Sequence, residues 1–453
     1  WSILGGVSDT RWEFMGSLHN YENGASHLAK VFQGTQGRWL TQFLLTPEPH
    51  IGTLFDSIYA VIGQSSRLIL LPGVVLFHIA RVAASLFMYL AIYQLAACVW
   101  SRVRTRRIFF LIVVFTAGFG WIAGVLTEDP TYLDLTAPEV FPFLSTLVNV
   151  HFPLSIGGLA LLVSIIIPIF RPGSMNYPSV YNEGIVILGI ALLLSFVYPQ
   201  ALLPIMLAFI VVILMNWRLR KQLMLREWRW LLWFIVPTLP ILVYYGAVLN
   251  FREVIAEIWA QQNSISSPYL HVFLLSLGLP LILAVPGIWR AIRRFEPDGD
   301  QFMLVWLLVM VIMMYFTPAI QRRFGIGLMI PIGYFGTRAI EDLWFKFIAR
   351  RWRYRLMVAG LPIAGASLLF VLFLPIFPVL NDDFDEASGM LLQSDYAQTF
   401  RWLRERGGSN GIVLAAPETS TWIPAVTGFR VVYGHPADSI QPAIKRRAVN
   451  DWY

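Results

Sequence analysis

Residues 74–100, "VVLFHIARVAASLFMYLAIYQLAACVW", run for 27 positions with one charged side chain, Arg81. A helix needs about 20 apolar residues to cross a roughly 30 Å hydrocarbon layer, so this stretch reads as a membrane-crossing helix. His78, Arg81, Ser85, Tyr89 and Tyr93 recur every three or four positions and share one face of it. At 1.5 Å of rise per residue, Arg81 lies about 10 Å below the outer helix end. A lipid-facing charge there costs about 2.5–3.5 kcal/mol, so the stripe must face protein or water. Two readings stay open for it: a buried polar contact between helices, or one wall of a substrate cavity.

The rest of the chain repeats the pattern. Of its 453 residues, 57% are hydrophobic and 13% charged, about half the charge of a soluble domain. Apolar spans are expected at about 74–100, 108–126, 151–170, 184–198, 201–215, 230–249, 270–289, 302–320, 324–340 and 355–378. Fold class is therefore an all-α polytopic membrane protein with about ten spans. Segments beyond Trp1 and Tyr453 are also expected, among them one further span ahead of Trp1. Residues 1–73 read as a first extracytoplasmic loop region and 74–380 as the transmembrane bundle. Residues 381–453 read as a small, truncated extracytoplasmic α/β segment. Cys98 is the single cysteine, which excludes an intrachain disulfide framework.

Orientation follows from the basic residues. With residues 1–73 outside, the cytoplasmic loops hold 19 Lys and Arg, and the short outer loops hold three: Arg252, Arg322 and Arg323. The excess of +7 thus marks the inner membrane surface, and no nucleic-acid partner is expected. Localisation in the plasma (inner) membrane follows.

Against that rule, "YFTPAIQRRFGIGLMIP" (315–331) places two adjacent arginines outside. A guanidinium presents a fork of donors that suits phosphate oxygens, so Arg322 and Arg323 are candidates for a lipid phosphate or diphosphate clamp. An ion pair with an outer acid, or snorkelling to the interface, is the structural alternative. Outer acids are plentiful: Glu22, Glu48, Asp56, Glu128, Asp129, Asp134 and Glu139. A carboxylate at this surface can serve as general base toward an acceptor hydroxyl. His151, at the start of a span beside the acidic loop, is a candidate for substrate binding or for a structural hydrogen bond. Tyr198-Pro199-Gln200 forms a tight tip between two spans. No phosphate-cradling glycine loop, Cys/His metal spacing or nucleophile elbow occurs, which argues against the usual soluble hydrolases.

Further stretches carry a family likeness. They are "WEFMGSLHNYENGASHLAKVFQGTQGRWLTQFLLTPEPHIGTLF" (12–55), "LFHIARV" (76–82), "DLTAPEVFPFLSTLVNVHFPLS" (134–155), "FVYPQ" (196–200), "IQRRFGIGLMIP" (320–331) and "STWIPAVTGFRVVYGHPADS" (420–439). In order and membrane side the chain resembles the C-type (GT-C) membrane glycosyltransferases, a superfamily that includes protein mannosyltransferases and aminoarabinose transferases.

That resemblance implies a sugar donor on a polyprenyl phosphate, membrane lipids around it, and an extracytoplasmic glycan, lipid or protein acceptor. It implies inverting transfer with an acidic base from the first outer loop. Glu22 and Asp134 are the catalytic candidates it suggests, and Arg322, Arg323 and Arg81 the donor-phosphate ligands. Asn23, His78, Glu139, His151 and Tyr198 would line the substrate cavity. A divalent metal ion held by outer acids is compatible with it. In the register set by "SHLAK", Asn23 stands where the family has an aspartate, with Glu22 beside it. Either Glu22 is the base or the chain is a silent homologue. A transporter or flippase of lipid-linked substrates is the rival class, but such proteins favour midplane charges and internal repeats, and neither is evident. An O-antigen ligase or polymerase would use outer arginines in the same way.

Overall fold

The computed structural model describes residues 12–17, 19–129, 131–171, 182–221, 225–297, 299–375, 389–406 and 411–453. Lipid offers no partner for a bare peptide group, so apolar runs must satisfy their backbones internally as helices. Six helical segments among the described residues are long and apolar enough to cross a membrane. They are Gly73–Val99, Val103–Thr127, His151–Phe170, Pro199–Leu219, Leu225–Phe251 and Leu270–Arg294.

The other expected spans are also helical but differ in length. Asn182–Val197 and Asp300–Phe316 are shorter apolar helices, and Arg350–Ala364 with Ala366–Phe373 forms a pair bent by 45°. The expected span at 324–340 is helical from Met329, through Met329–Ala339, a π turn at Ile340–Trp344 and Phe345–Phe347, but is not among the segments long and apolar enough to cross a membrane. Nearly all side chains of Met329–Ala339 are buried, so its apolar sequence records protein packing and not lipid contact.

The chain divides into two compact units. One comprises Ala83–Tyr244 and Ser264–Leu372 and holds most of the membrane helices. His151–Phe170 is its most enclosed span, 72% buried, so its apolar faces meet other helices on nearly every side. The Leu270–Arg294 helix breaks at Gly278, whose φ of +36° and ψ of −121° leave the helical region. A residue with a Cβ would be strained there.

The other unit comprises Trp1–Val82, Tyr245–Asn263 and Phe373–Tyr453. Two segments expected to be separate, the first outer loop and the C-terminal region, therefore pack as one body. Strand Trp12–Phe14 pairs antiparallel with Leu391–Gln393, with Glu13 opposite Leu392. Ile412–Val413 pairs parallel with Arg430–Val431. The expected boundary at 380/381 lies outside the described residues.

Helices Tyr21–Thr35 and Ser57–Ile69 cross where Gly34 meets Gly63, and a Cβ on either would overlap the other helix's backbone. Under them lies a buried polar core. Lys30, 2% exposed, pairs with Asp56 and sits 4.8 Å from the centre of the Phe43 ring. Asp438 accepts from Ser26 Oγ and, at 2.5 Å, from Gln262 Nε2. Burial alone would raise the Asp438 carboxyl; His435, Lys30 and those hydrogen bonds outweigh it and hold it below the usual range.

Candidate functional site

The paired arginines lie in a short 3-10 turn, Gln321–Gly325, entered through Ile320 at φ +67°. A β-branched residue with positive φ is a backbone outlier that the surrounding fold must hold in place. The hold is visible. Arg322 Nε donates to Glu139 Oε1 at 2.8 Å, and Gly327 N–H donates to the Glu139 carbonyl at 2.9 Å. Glu139 thus fastens the turn by side chain and backbone. Gln321 adds a further tie by accepting from Ser267 N–H at 2.9 Å.

Beside this pair, Tyr198 is buried and lies within the fields of Arg323, Glu139 and Arg322. Its ring stacks on His151, with centroids 5.7 Å apart and planes 15° from parallel. Five of the candidates chosen from the sequence, Glu139, His151, Tyr198, Arg322 and Arg323, come together from four separate stretches of chain. The Arg322 guanidinium is balanced by a carboxylate that is 2% exposed. The group carries net positive charge in partly buried surroundings, which suits an anion.

Asp134 sits elsewhere in the same unit. It is fully buried; its Oδ2 accepts from Gly120 N–H at 2.9 Å and from Ser367 Oγ at 2.5 Å. Burial pushes its carboxyl up against the pull of those donors. This is the geometry of an internal cap on the Gly120–Thr127 helix, closed to an acceptor from water. The lower stripe of the first span also packs inward: Tyr89 and Tyr93 make edge contacts with Phe110 at 5.9 and 6.3 Å.

In the other unit, Glu22 opens the Tyr21–Thr35 helix. The candidate acids Glu48 and Asp56 of that unit are engaged, Glu48 with Lys445 and Asp56 with Lys30. Glu22 is half-buried and makes no ion pair among the described residues. The charges of Glu22, Glu418 and Arg446 all act on the hydroxyls of Tyr21 and Tyr433. Glu418, Tyr433 and Arg446 were not legible as partners, because most of the chain separates them from Glu22. Asn23 Nδ2 donates to Asn20 Oδ1 at 2.7 Å, a local turn contact.

His78 Nε2 donates to the Gly16 carbonyl at 2.9 Å. The Arg81 charge acts on both His78 and His19, and burial together with Arg81 lowers His19 to about 4. His19 is a further residue that sequence reasoning passed over. Among the described residues, no three His, Cys, Asp or Glu side chains stand where they could hold a metal ion.

Long apolar helices define a polytopic helical membrane protein, and its fold is shared with solved structures. Solved structures supply the likeness. Over 97% of this chain and 64% of the other, the fold matches an Archaeoglobus fulgidus oligosaccharyltransferase tethered to an acceptor peptide, with a TM-score of 0.53 and 11% identity. The same enzyme in complex with zinc and sulfate matches over 93% and 59%, with a TM-score of 0.51 and 12% identity. ArnT from Cupriavidus metallidurans aligns over 99% and 75%, at 0.49 and 13% identity. The chain thus spans less than two thirds of the oligosaccharyltransferase's length. No family model and no curated protein matches the sequence.

Proposed function

We propose that this chain is a membrane glycosyltransferase that moves a sugar from a polyprenyl-phosphate donor to an acceptor on the extracytoplasmic side, with inversion. The observation that carries the proposal is the convergence of Arg322 and Arg323 with Glu139, Tyr198 and His151. A leaving polyprenyl phosphate gains negative charge as the glycosidic bond breaks, and prepositioned guanidiniums stabilise it without reorganising. Arg322 and Arg323 share that role from one turn. Tyr198 and His151 orient the donor around the phosphate.

Glu22 is the base of this reading. It removes the proton from the acceptor hydroxyl while the acceptor oxygen attacks the anomeric carbon opposite the phosphate, and the phosphate leaves with the bonding pair. Its support is negative selection. Asp134, Asp56, Glu48 and Glu139 are each committed to a hydrogen bond or ion pair and Asp129 accepts from Thr131 N–H, whereas Glu22 and Glu128 make no ion pair among the described residues.

The test is mass spectrometry of lipids that copurify with the protein, followed by incubation with a short-chain polyprenyl-phosphate sugar. A bound sugar-bearing polyprenyl phosphate, lost in Arg323→Ala, is the expected result. Absence of such a lipid together with no release of polyprenyl phosphate overturns the proposal.

A further inference from the structure

At the Phe251 end of the Leu225–Phe251 span, the first-described loop and the next helix enclose an open groove of about 550 Å³. That falls within the roughly 300–1,000 Å³ of ordinary ligand pockets. Its walls are Pro49, His50 and Ile51 on one side and 251–255 on the other. All of these residues belong to the same compact unit.

The apolar part is exposed to a degree that water disfavours. Phe251 is 79% exposed and Ile51 49% exposed, both on the rim. Phe251 ends a membrane span, so hydrocarbon is the natural neighbour of this edge. The polar part is two consecutive charges of opposite sign, Arg252 and Glu253, both exposed. Neither makes an ion pair among the described residues.

His50 adds no charge. Its Nε2 accepts from Phe43 N–H at 2.9 Å and its Nδ1 donates to the Glu48 carbonyl at 2.9 Å. With both ring nitrogens committed, the ring offers the groove only its carbon edge. The charge of the groove is therefore one cation and one anion, balanced to zero, beside an apolar rim.

We infer that this groove seats the head group of a zwitterionic phospholipid, with its phosphate on Arg252, its ammonium on Glu253, and its acyl chains running along Phe251. An anionic lipid satisfies Arg252 but meets Glu253 as a like charge, so the balance of the groove selects against it. The site is independent of the glycosyl-transfer reading and of the Arg322 and Arg323 cluster.

Native mass spectrometry on the full chain, delipidated in detergent and then incubated with phosphatidylethanolamine or phosphatidylglycerol, tests it. Phosphatidylethanolamine should be retained several-fold more than phosphatidylglycerol. Arg252→Ala should lower its retention severalfold. Glu253→Gln should reverse the preference, because the cation then stands alone. Both side chains are exposed, so an unchanged thermal unfolding profile serves as the folding control. Equal retention of the two lipids, a wild-type preference for phosphatidylglycerol, or an unaltered preference in Glu253→Gln overturns the inference.

Discussion

Arg322 donates from Nε to Glu139 Oε1 across 2.8 Å, and the two residues are 183 positions apart in the chain. Glu139 also accepts from Gly327 N–H through its carbonyl, so this contact fixes the turn that carries both arginines. Removing one partner of a buried pair strands the other charge, at about 3–5 kcal/mol in closed sites. The Arg322 side chain keeps 19% of its exposure, which places Glu139→Gln near the lower end. A loss of about 3 kcal/mol is expected in detergent-solubilised thermal or denaturant unfolding. The double variant Glu139→Gln/Arg322→Met should recover most of it, since it leaves no stranded charge. A loss below 1 kcal/mol in the single variant would show that water already screens the pair.

Glu22 and Asp134 should separate cleanly. Asp134→Ala leaves the Gly120 N–H without its acceptor inside the protein, while the Ser367 hydroxyl keeps the Gly118 carbonyl at 3.3 Å. A cost of about 1–3 kcal/mol in stability follows. Glu22→Gln should unfold like the wild type and yet lower sugar transfer by about 10²–10⁴, the usual worth of a general base. Donor-lipid binding, read by native mass spectrometry, should be retained in Glu22→Gln. The opposite assignment, an inactive but fully stable Asp134→Asn with an active Glu22→Gln, would move the base to Asp134.

His19 predicts an acid-side loss of stability. Burial and the Arg81 charge hold its folded-state value at about 4, against 6.5 in the unfolded chain. Above pH 6.5 the ring is neutral in both states and contributes nothing. Between pH 6.5 and 4 only the unfolded state takes up the proton, so stability falls as pH falls, then levels off. The full step is at most about 3 kcal/mol at 1.36 kcal/mol per pH unit. His19→Gln should remove that slope in unfolding measured from pH 7.5 to 4. An unchanged slope would assign it to other groups.

Ile320 carries the φ of +67° that opens the arginine turn. Glycine adopts this region without penalty, so Ile320→Gly relieves strain of about 1–3 kcal/mol, offset in part by glycine's greater unfolded-state freedom. Net stability should change by less than about 1 kcal/mol. Donor affinity should drop several-fold, because the turn is then free to rotate Arg322 and Arg323 away. Undiminished affinity would show that Glu139 and Gln321 are sufficient to aim the pair.

Much of the architecture was legible from residue order alone. Runs such as 74–100 and 151–170 announce spans because lipid accepts a peptide backbone only when it is helical and sheathed in apolar side chains. At 324–340 the chain is helical from Met329 on, yet it is not among the segments long and apolar enough to cross a membrane. There the apolar sequence packs inside protein, and hydropathy does not distinguish a protein interior from a bilayer. The arginine pair stood out for a related reason, since the cost of charge near hydrocarbon makes any such residue informative.

Which acids matter could not be read this way. Asp134 and Glu22 look alike in sequence, two carboxylates outside the long apolar runs, yet one is a buried acceptor at a helix start and the other makes no ion pair among the described residues. Residue order determined the helical membrane class and named Arg322, Arg323, Glu139, His151 and Tyr198, because hydrophobicity and charge are properties each residue carries with it. Only tertiary structure decided that these five meet, that Glu418, Tyr433 and Arg446 stand near Glu22, and that Asp134 is closed off. Such facts depend on which distant segments share a neighbourhood, and a carboxylate acquires its role from the donors that surround it.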